Sequence, residues 1–496
     1  MVSTTILNRY LSDKYISNFL EKSLIAILLV LFSFYILRCL LLLTTTFPIE
    51  YGEGIILNLA VQLDKYGTYY LDINDYPFTH GAYPPGFIIF AYPLLKLLGP
   101  EIYIGRIISI IATLSIGLVV YLISTQQGHG RKRSLTFALF VFPPFFVYTW
   151  TPFGRVDSLA ILFSVIGLYV YVKKWQSHSN LKYLSCIFFV FAFLTKQNSV
   201  AAPCAILAYH LLVERNLRDF FKDLILFAGP LLLIMAALNG LTDGEFFLHT
   251  FTHHAFVGIS LTEAFRGYYE FIRASNILLL IGILGVLLRK RPSIFLFYTI
   301  FTFAILITNG KPGAKLNYYI EPYIALLLLV SSYHNLLPPA WGKHTAKAIL
   351  SVMLLLSLPS LVKPDDLLET VRRIRSPSDI ESRYEIVNEV LAKAEGDVLS
   401  ENVGYLVVNH REVLLYPFQF MMMSRSNLWD PGPLAADCRR GRFAVVFSGW
   451  RIESIDGIRE CLEEKYFLFD EKLKIYLRND LREKFSGKTK RVPDRD

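Results

Sequence analysis

Charge is scarce in this sequence: Asp, Glu, Lys and Arg supply 18% of 496 residues, where an ordinary soluble domain carries about a quarter. With 53% hydrophobic residues and a mean hydropathy of +0.42, that shortage excludes a single soluble domain. There is no internal repeat and no low-complexity segment. No small-residue cleavage site follows the first apolar run, so it reads as a retained span rather than a signal peptide. No Ser, Thr or Cys stands beside an evident base or metal set, which disfavours phosphoethanolamine or acyl transfer through a covalent intermediate. Cysteine numbers five: Cys39, Cys186 and Cys204 lie in apolar runs and pack there. Cys438 and Cys461 both fall near the C-terminus, where they pair if that region is outside the cytoplasm and stay free thiols otherwise.

What the chain does have is apolar runs long enough to cross hydrocarbon, recurring from Leu24 to Leu358 and then ending. Residues 363–480 carry charges every few positions and read as a soluble domain; residues 481–496 read as a basic, disordered tail. The net charge of +9 does not point to nucleic acid, because the basic residues cluster in short loops between apolar runs. There they set topology. Arg9, Lys14 and Lys22, Arg131 to Arg133, Lys173 and Lys174, Arg215 to Lys222, Arg289 to Arg291, and Lys343 with Lys347 all go to the cytoplasm. About eleven spans then alternate: 24–45, 103–124, 135–150, 156–172, 183–195, 199–213, 223–240, 274–288, 293–309, 319–336 and 345–361. The short, aromatic-rich segment Gly86–Leu98 fits an interfacial or re-entrant helix better. This arrangement puts the N-terminus in the cytoplasm and the C-terminal domain outside a plasma membrane, with residues 1–362 as a transmembrane body.

The outward loops collect the chemistry, while the inward ones hold little beyond Lys and Arg. Loop 46–102 opens with Glu50 and Glu53. A carboxylate there is a candidate general base or divalent-metal ligand, and Gly52 and Gly54 allow a tight turn against a ligand; a solvated loop acid with turn glycines is the plainer alternative. Arg155 offers a planar fork for phosphate with Asp157 placed to orient it, or else the pair is a snorkelling Arg and a helix-start acid. Lys196 stands on the face where the basic-loop rule would not put it, which an anionic head group would explain; Lys311 and Lys315 share that argument. His249, His253 and His254 form a cluster suited to ligand contact or, less simply, zinc. Arg38, late in the first span, reads as a snorkelling side chain.

Several of these stretches resemble the GT-C superfamily of polytopic glycosyltransferases, near the protein O-mannosyltransferase-like family 39 and the aminoarabinose transferases. The matching pieces are Tyr51-Gly52-Glu53-Gly54, Tyr83-Pro84-Pro85, Gly105-Arg106-Ile107-Ile108-Ser109, Gly154-Arg155-Val156-Asp157-Ser158, Phe193-Leu194-Thr195-Lys196-Gln197 and Asn317-Tyr318-Tyr319-Ile320-Glu321-Pro322. Val398 to Glu401 and Leu428 to Pro431 extend the likeness into the tail. The resemblance implies a GT-C-like polytopic α-helical membrane protein with a C-terminal extracytoplasmic α/β domain. It implies a polyprenyl-phosphate sugar as donor, a glycan, lipid or protein hydroxyl as acceptor, membrane lipids as surroundings, and inverting displacement. Glu53 matches the family's principal acid, with Glu50 as a second. Where the family commonly has adjacent acids, this chain separates them by Tyr51 and Gly52. Arg155, Lys196, Lys311 and Lys315 would hold the phosphate, and Tyr83, Asp157, Gln197, His253, His254, Asn317, Tyr318 and Glu321 complete the expected substrate site. Family members differ in metal dependence, so a divalent metal is open. A transporter or flippase of lipid-linked sugars is the rival reading, but it should show inverted repeats and broken midplane helices. The tail's alternating apolar and helical stretches suggest a small α/β layer without a phosphate-binding glycine loop.

Overall fold

The computed structural model describes residues 2–176, 179–253, 258–288, 292–333, 343–375 and 379–485. The basic triplet at 289–291, His254 and residues 486–496 lie outside these. Among the described residues six helices are long and apolar enough to cross a bilayer: Lys14–Thr44, Tyr103–Gln126, Val156–Lys174, Leu217–Leu241, Leu261–Leu288 and His344–Leu361. Shorter apolar helices, Gly86–Leu98, Asn180–Thr195, Ala201–Glu214, Ile294–Gly310 and Leu316–Ser331, pack among them. The chain is thus a multi-pass membrane protein.

Two sequence expectations change here, the span over 135–150 and the snorkelling of Arg38. The run read as a span over 135–150 is broken into Arg131–Leu139 and Phe145–Trp150. Pro143 and Pro144 interrupt it, since proline has no N–H to continue the helical ladder; the Pro144 carbonyl instead accepts from the Val147 and Tyr148 N–H groups and starts a new turn. The segment Gly86–Leu98 is a helix of 13 residues with Pro93 inside it. At 1.5 Å per residue it reaches only about 20 Å, short of the roughly 30 Å hydrocarbon core. Arg38 does not snorkel. It is 7% exposed, lies over the rings of Tyr148 and Phe153 at 5.3 and 6.0 Å, and donates to the Thr149 carbonyl.

Beyond residue 363 the chain carries a four-stranded sheet with strands β1 (Asp397–Ser400), β2 (Phe443–Phe447), β3 (Tyr466–Asp470) and β4 (Ile475–Arg478), in the order β1-β2-β4-β3. β1 runs parallel to β2, whereas β4 is antiparallel to both of its neighbours. β2 is buried along its whole length (Phe-Ala-Val-Val-Phe), as a central strand covered on both faces should be. The apolar run at 413–416 forms no strand of this sheet. It pairs instead with the first long loop, where Phe78 N–H donates to the Leu414 carbonyl and Tyr416 N–H to the Phe78 carbonyl, both at 2.9 Å. Asn58 donates to the Tyr416 hydroxyl at 2.8 Å, and Lys65 pairs with Glu412. A Cβ on Gly54 would fall 2.2 Å from the Gly404 backbone nitrogen. The sheet-bearing region therefore seats directly on the helix that opens the first loop. Cys438 and Cys461 are joined by a disulfide.

Candidate active site

The first loop opens with the helix Tyr51–Tyr66, capped by Glu50, whose carboxylate accepts from the Gly52 N–H at 2.7 Å. Glu53 reciprocates, accepting at 3.3 Å from the Ile49 and Glu50 N–H groups in a capping box. The two acids then part company. Glu53 is 2% exposed and gripped by Arg106: Nε donates to Oε1 at 2.7 Å and Nη2 to Oε2 at 2.9 Å. The Gly154 N–H adds a bond to Oε1 at 3.1 Å. Arg106, itself 0% exposed, also donates to the carbonyls of Leu42, Thr45 and Phe47. Every oxygen of Glu53 is spoken for, and no face is left on which an acceptor hydroxyl approaches. Glu50 differs. Its side chain is 19% exposed, only Oε2 is engaged, and Oε1 makes no hydrogen bond among the described residues.

Arg155 meets Glu50 from the start of the helix Val156–Gln176. Its Nη1 donates to Glu50 Oε2 at 3.3 Å, its Nη2 to the Tyr83 hydroxyl at 3.4 Å, and its guanidinium lies 5.5 Å from the centre of the Trp150 ring. Gly52 is what admits it: a Cβ there would sit 1.1 Å from Arg155 Nη1. So Gly52 does not shape a turn around a ligand, as the sequence suggested; it is the first-turn helix position over which the guanidinium lies. Burial works against the charge of Arg155, but Glu50, Tyr83 and Asp157 outweigh it and hold the group above its ordinary value.

Asp157 was expected to orient Arg155. It makes no hydrogen bond to it. Its Oδ1 accepts from Lys196 Nζ at 2.7 Å and from Asn317 Nδ2 at 2.9 Å, and its Oδ2 from Trp150 Nε1 at 3.2 Å. The carboxylate is 1% exposed and anchors Lys196, which follows the helix Ser185–Thr195 and lies 4.6 Å from the centre of the Tyr318 ring. Burial lowers the Lys196 pKa, yet Asp157, Tyr318 and Tyr83 together raise it above the usual lysine value, so the ammonium is permanent. A small cavity opens beside Lys196, with Asn198, Ser199, Asn317, Tyr318 and Glu321 among its polar lining.

Four expected residues stand elsewhere. Gln197 spans two loops, donating to the carbonyls of Ala82 and Thr250 at 3.1 and 3.2 Å, which is a bracing role. Lys311 and Lys315 flank a turn whose Gly313 lies against Phe418. His253 joins His249 and His80, with ring centroids 4.9 to 5.6 Å apart. Their ring nitrogens could gather a metal ion. The donor chemistry of His249 argues against it, because its Nδ1 accepts from the Gly81 N–H at 2.9 Å and its Nε2 donates to the Leu71 carbonyl at 2.8 Å. Ligation would break one of these, so the trio fits a packed loop anchor better than a metal centre. Burial, then neighbouring His249, holds His253 below its ordinary pKa and hence neutral at pH 7.

Sequence reasoning named Arg106 only within a matching stretch and gave it no role, missed Trp150 and Tyr298, and did not connect His80 to the other histidines. Arg106 carried a usable signal: an arginine in the first turn of an otherwise apolar span must have a buried acid or carbonyls to meet it.

Comparison with known proteins bears on what this geometry belongs to. The profile of the dolichyl-phosphate-mannose-protein mannosyltransferase family matches residues 82–239. Among curated proteins, none matches in sequence. In fold, the chain is similar to ArnT from Cupriavidus metallidurans in the apo state, with a TM-score of 0.60 at 13% identity over 92% of this chain and 96% of that one. The same protein bound to undecaprenyl phosphate gives 0.55 at 12% identity, over 92% and 97% of the two chains. Over residues 82–239 the chain is thus similar in sequence to that mannosyltransferase family, and over most of its length it is similar in fold to ArnT.

Proposed function

We propose that this chain is a membrane glycosyltransferase that moves a sugar from a polyprenyl-phosphate donor to a hydroxyl acceptor at the extracytoplasmic face. The observation that carries the reading is the pair of buried-edge cations, Arg155 and Lys196, each held by its own acid, Glu50 and Asp157. Two fixed positive charges beside a partly exposed carboxylate suit a phosphate leaving group next to a proton acceptor. The fold relative's undecaprenyl phosphate supports a lipid-linked donor here.

In this reading Glu50, not Glu53, takes the proton. Its open Oε1 accepts the proton of the acceptor hydroxyl while that oxygen attacks the anomeric carbon. The bond from the anomeric carbon to the phosphate oxygen breaks from the opposite side, and the electron pair leaves with polyprenyl phosphate. Arg155 and Lys196 neutralise the developing charge; removing one such preorganised donor typically costs about 10²–10³ in rate. Glu53 with Arg106 fixes the helix that presents Glu50. In-line geometry gives inversion, and the acceptor is a glycan, lipid or protein. The disulfide between Cys438 and Cys461 supports an extracytoplasmic domain over 363–480 following a catalytic body over 1–362, with the N-terminus in the cytoplasm of a plasma-membrane protein. Lys311 and Lys315 are placed to meet the donor or acceptor as it enters between that domain and the body.

The test is single-turnover transfer in proteoliposomes using labelled polyprenyl-phosphate sugars, with Lys196→Ala and Arg155→Ala alongside. The reading requires label to leave the lipid in the parent protein, and each variant to slow transfer about a hundredfold. Unchanged rates in both variants would remove the phosphate-holding role.

A further inference from the structure

Glu321 occupies an odd position. The helix Ile320–Ser331 has 12 residues, and all but Glu321 are buried. That one residue lines the cavity beside Lys196. Its Oε1 accepts a hydrogen bond from the Tyr298 hydroxyl at 3.0 Å, and Tyr298 is 0% exposed. Among the described residues Glu321 makes no ion pair. The nearby ammonium of Lys196 is already committed to Asp157 at 2.7 Å. A carboxylate at the end of an apolar helix, with one neutral partner and an open side toward a cavity, is costly unless something else donates to it.

The surroundings narrow what that is. The phosphate is drawn to Lys196 and repelled by Glu321, so the two residues divide the cavity into a cationic end and an acceptor end. Asn198, Ser199 and Thr302 also line the cavity, small polar groups of the kind that position a neutral hydroxylated ligand. Ile161, Ile305, Leu306 and Pro322 give it apolar walls.

We propose that Glu321, positioned by Tyr298, reads hydroxyl groups on the glycosyl unit of the donor. It thereby makes the site select a lipid-linked sugar over the bare lipid phosphate. This rests on the reading of Arg155 and Lys196 as the phosphate site. A carboxylate oxygen accepts from a sugar O–H, and a site built to accept that hydrogen strongly rejects an analogue lacking it, because the buried acceptor is then left unpaired. Tyr298 is the positioning residue. It touches Glu321, not the sugar.

The experiment measures equilibrium binding of polyprenyl phosphate, of polyprenyl-phosphate hexose, and of its mono-deoxy analogues to the full-length protein in detergent. Glu321→Gln, Glu321→Leu and Tyr298→Phe are run beside the parent. The expected result is that the sugar tightens binding about tenfold in the parent and that Glu321→Leu abolishes the gain. Bare polyprenyl phosphate should bind that variant normally, which also shows that it is folded. Glu321→Gln keeps part of the gain, since an amide oxygen still accepts, and Tyr298→Phe loses a few-fold of it. One deoxy analogue should bind the parent as weakly as the bare phosphate and be insensitive to Glu321→Leu. An undiminished sugar gain in Glu321→Leu overturns the proposal while leaving the phosphate site intact. Failure of the parent to bind bare polyprenyl phosphate overturns the underlying reading and the proposal with it. If Glu321→Gln is as damaging as Glu321→Leu, the group read is a cation rather than a hydroxyl, and the proposal fails on that point.

Discussion

Replacing Glu53 by Gln removes a charge that is 2% exposed and matched by an arginine that is 0% exposed. Arg106 donates to the two carboxylate oxygens at 2.7 and 2.9 Å, and three backbone N–H groups, from Ile49, Glu50 and Gly154, complete the set. Gln offers one acceptor oxygen and turns an NH₂ group toward donors, so at least one side of this cage becomes donor against donor. Arg106 keeps three carbonyls but loses its counter-charge. Breaking a buried pair in this way costs about 3–5 kcal/mol. At about 2–4 °C per kcal/mol for domains of 150–250 residues, and less for longer chains, the unfolding midpoint should fall by roughly 5–10 °C. Glu50→Gln loses far less stability. Its side chain is partly exposed, its bond to Arg155 is long at 3.3 Å, and the amide oxygen still caps Gly52. It should instead lose about 10²–10⁴ in transfer rate, the usual worth of a general base. Thermal unfolding in detergent and single-turnover transfer, measured on both variants, separate the two roles. A Glu53→Gln protein that unfolds at the parent temperature yet transfers no sugar would refute the assignment of Glu53 to structure.

Gly52→Ala places a Cβ where Arg155 Nη1 now lies, so transfer should fall as far as in Arg155→Ala while thermal unfolding changes little. Gly54→Ala, pushed against the Gly404 backbone, should do the reverse, loosening the soluble region as read by limited proteolysis. Reducing Cys438–Cys461, which closes a separation of 23 residues, removes about 3 kcal/mol by the chain-entropy argument, and a lower unfolding midpoint in reductant checks it. His253 is held below its ordinary pKa near 6.5 in the folded chain, so the unfolded state binds more protons as acid is added. Stability from this group is complete above about pH 6.5 and is lost as the pH falls below it; His253→Phe should flatten that part of the unfolding-midpoint curve.

Much of the site could be read from residue type and position. Lys196, outside the basic loops assigned to the cytoplasm, and Arg155, at a helix start, stood out as candidates because that assignment leaves few reasons for a cation there. Pairing could not be read the same way. Asp157 stands two residues from Arg155 in sequence but binds Lys196, because the helix Val156–Gln176 turns its carboxylate toward the loop after Thr195. Glu53 outranked Glu50 by its motif position, and only Arg106, a long-range partner, reveals that its oxygens are occupied. Periodicity likewise marked apolar runs without showing that prolines 143 and 144 break one, or that 413–416 would pair with Phe78 rather than join the sheet. The common cause is that sequence spacing sets local geometry, whereas burial of charge is decided by elements far apart along the chain.

The most direct trial of the central claim follows the label. Purified protein in proteoliposomes receives a radiolabelled polyprenyl-phosphate sugar and an envelope-derived hydroxyl acceptor, beside Glu50→Gln. Label that moves from lipid to acceptor in the parent protein, and stays on the lipid in the variant, is the predicted result. Label that changes leaflet while remaining on the lipid in both would contradict it, and would make Arg155, Lys196 and Glu50 part of a transport path instead.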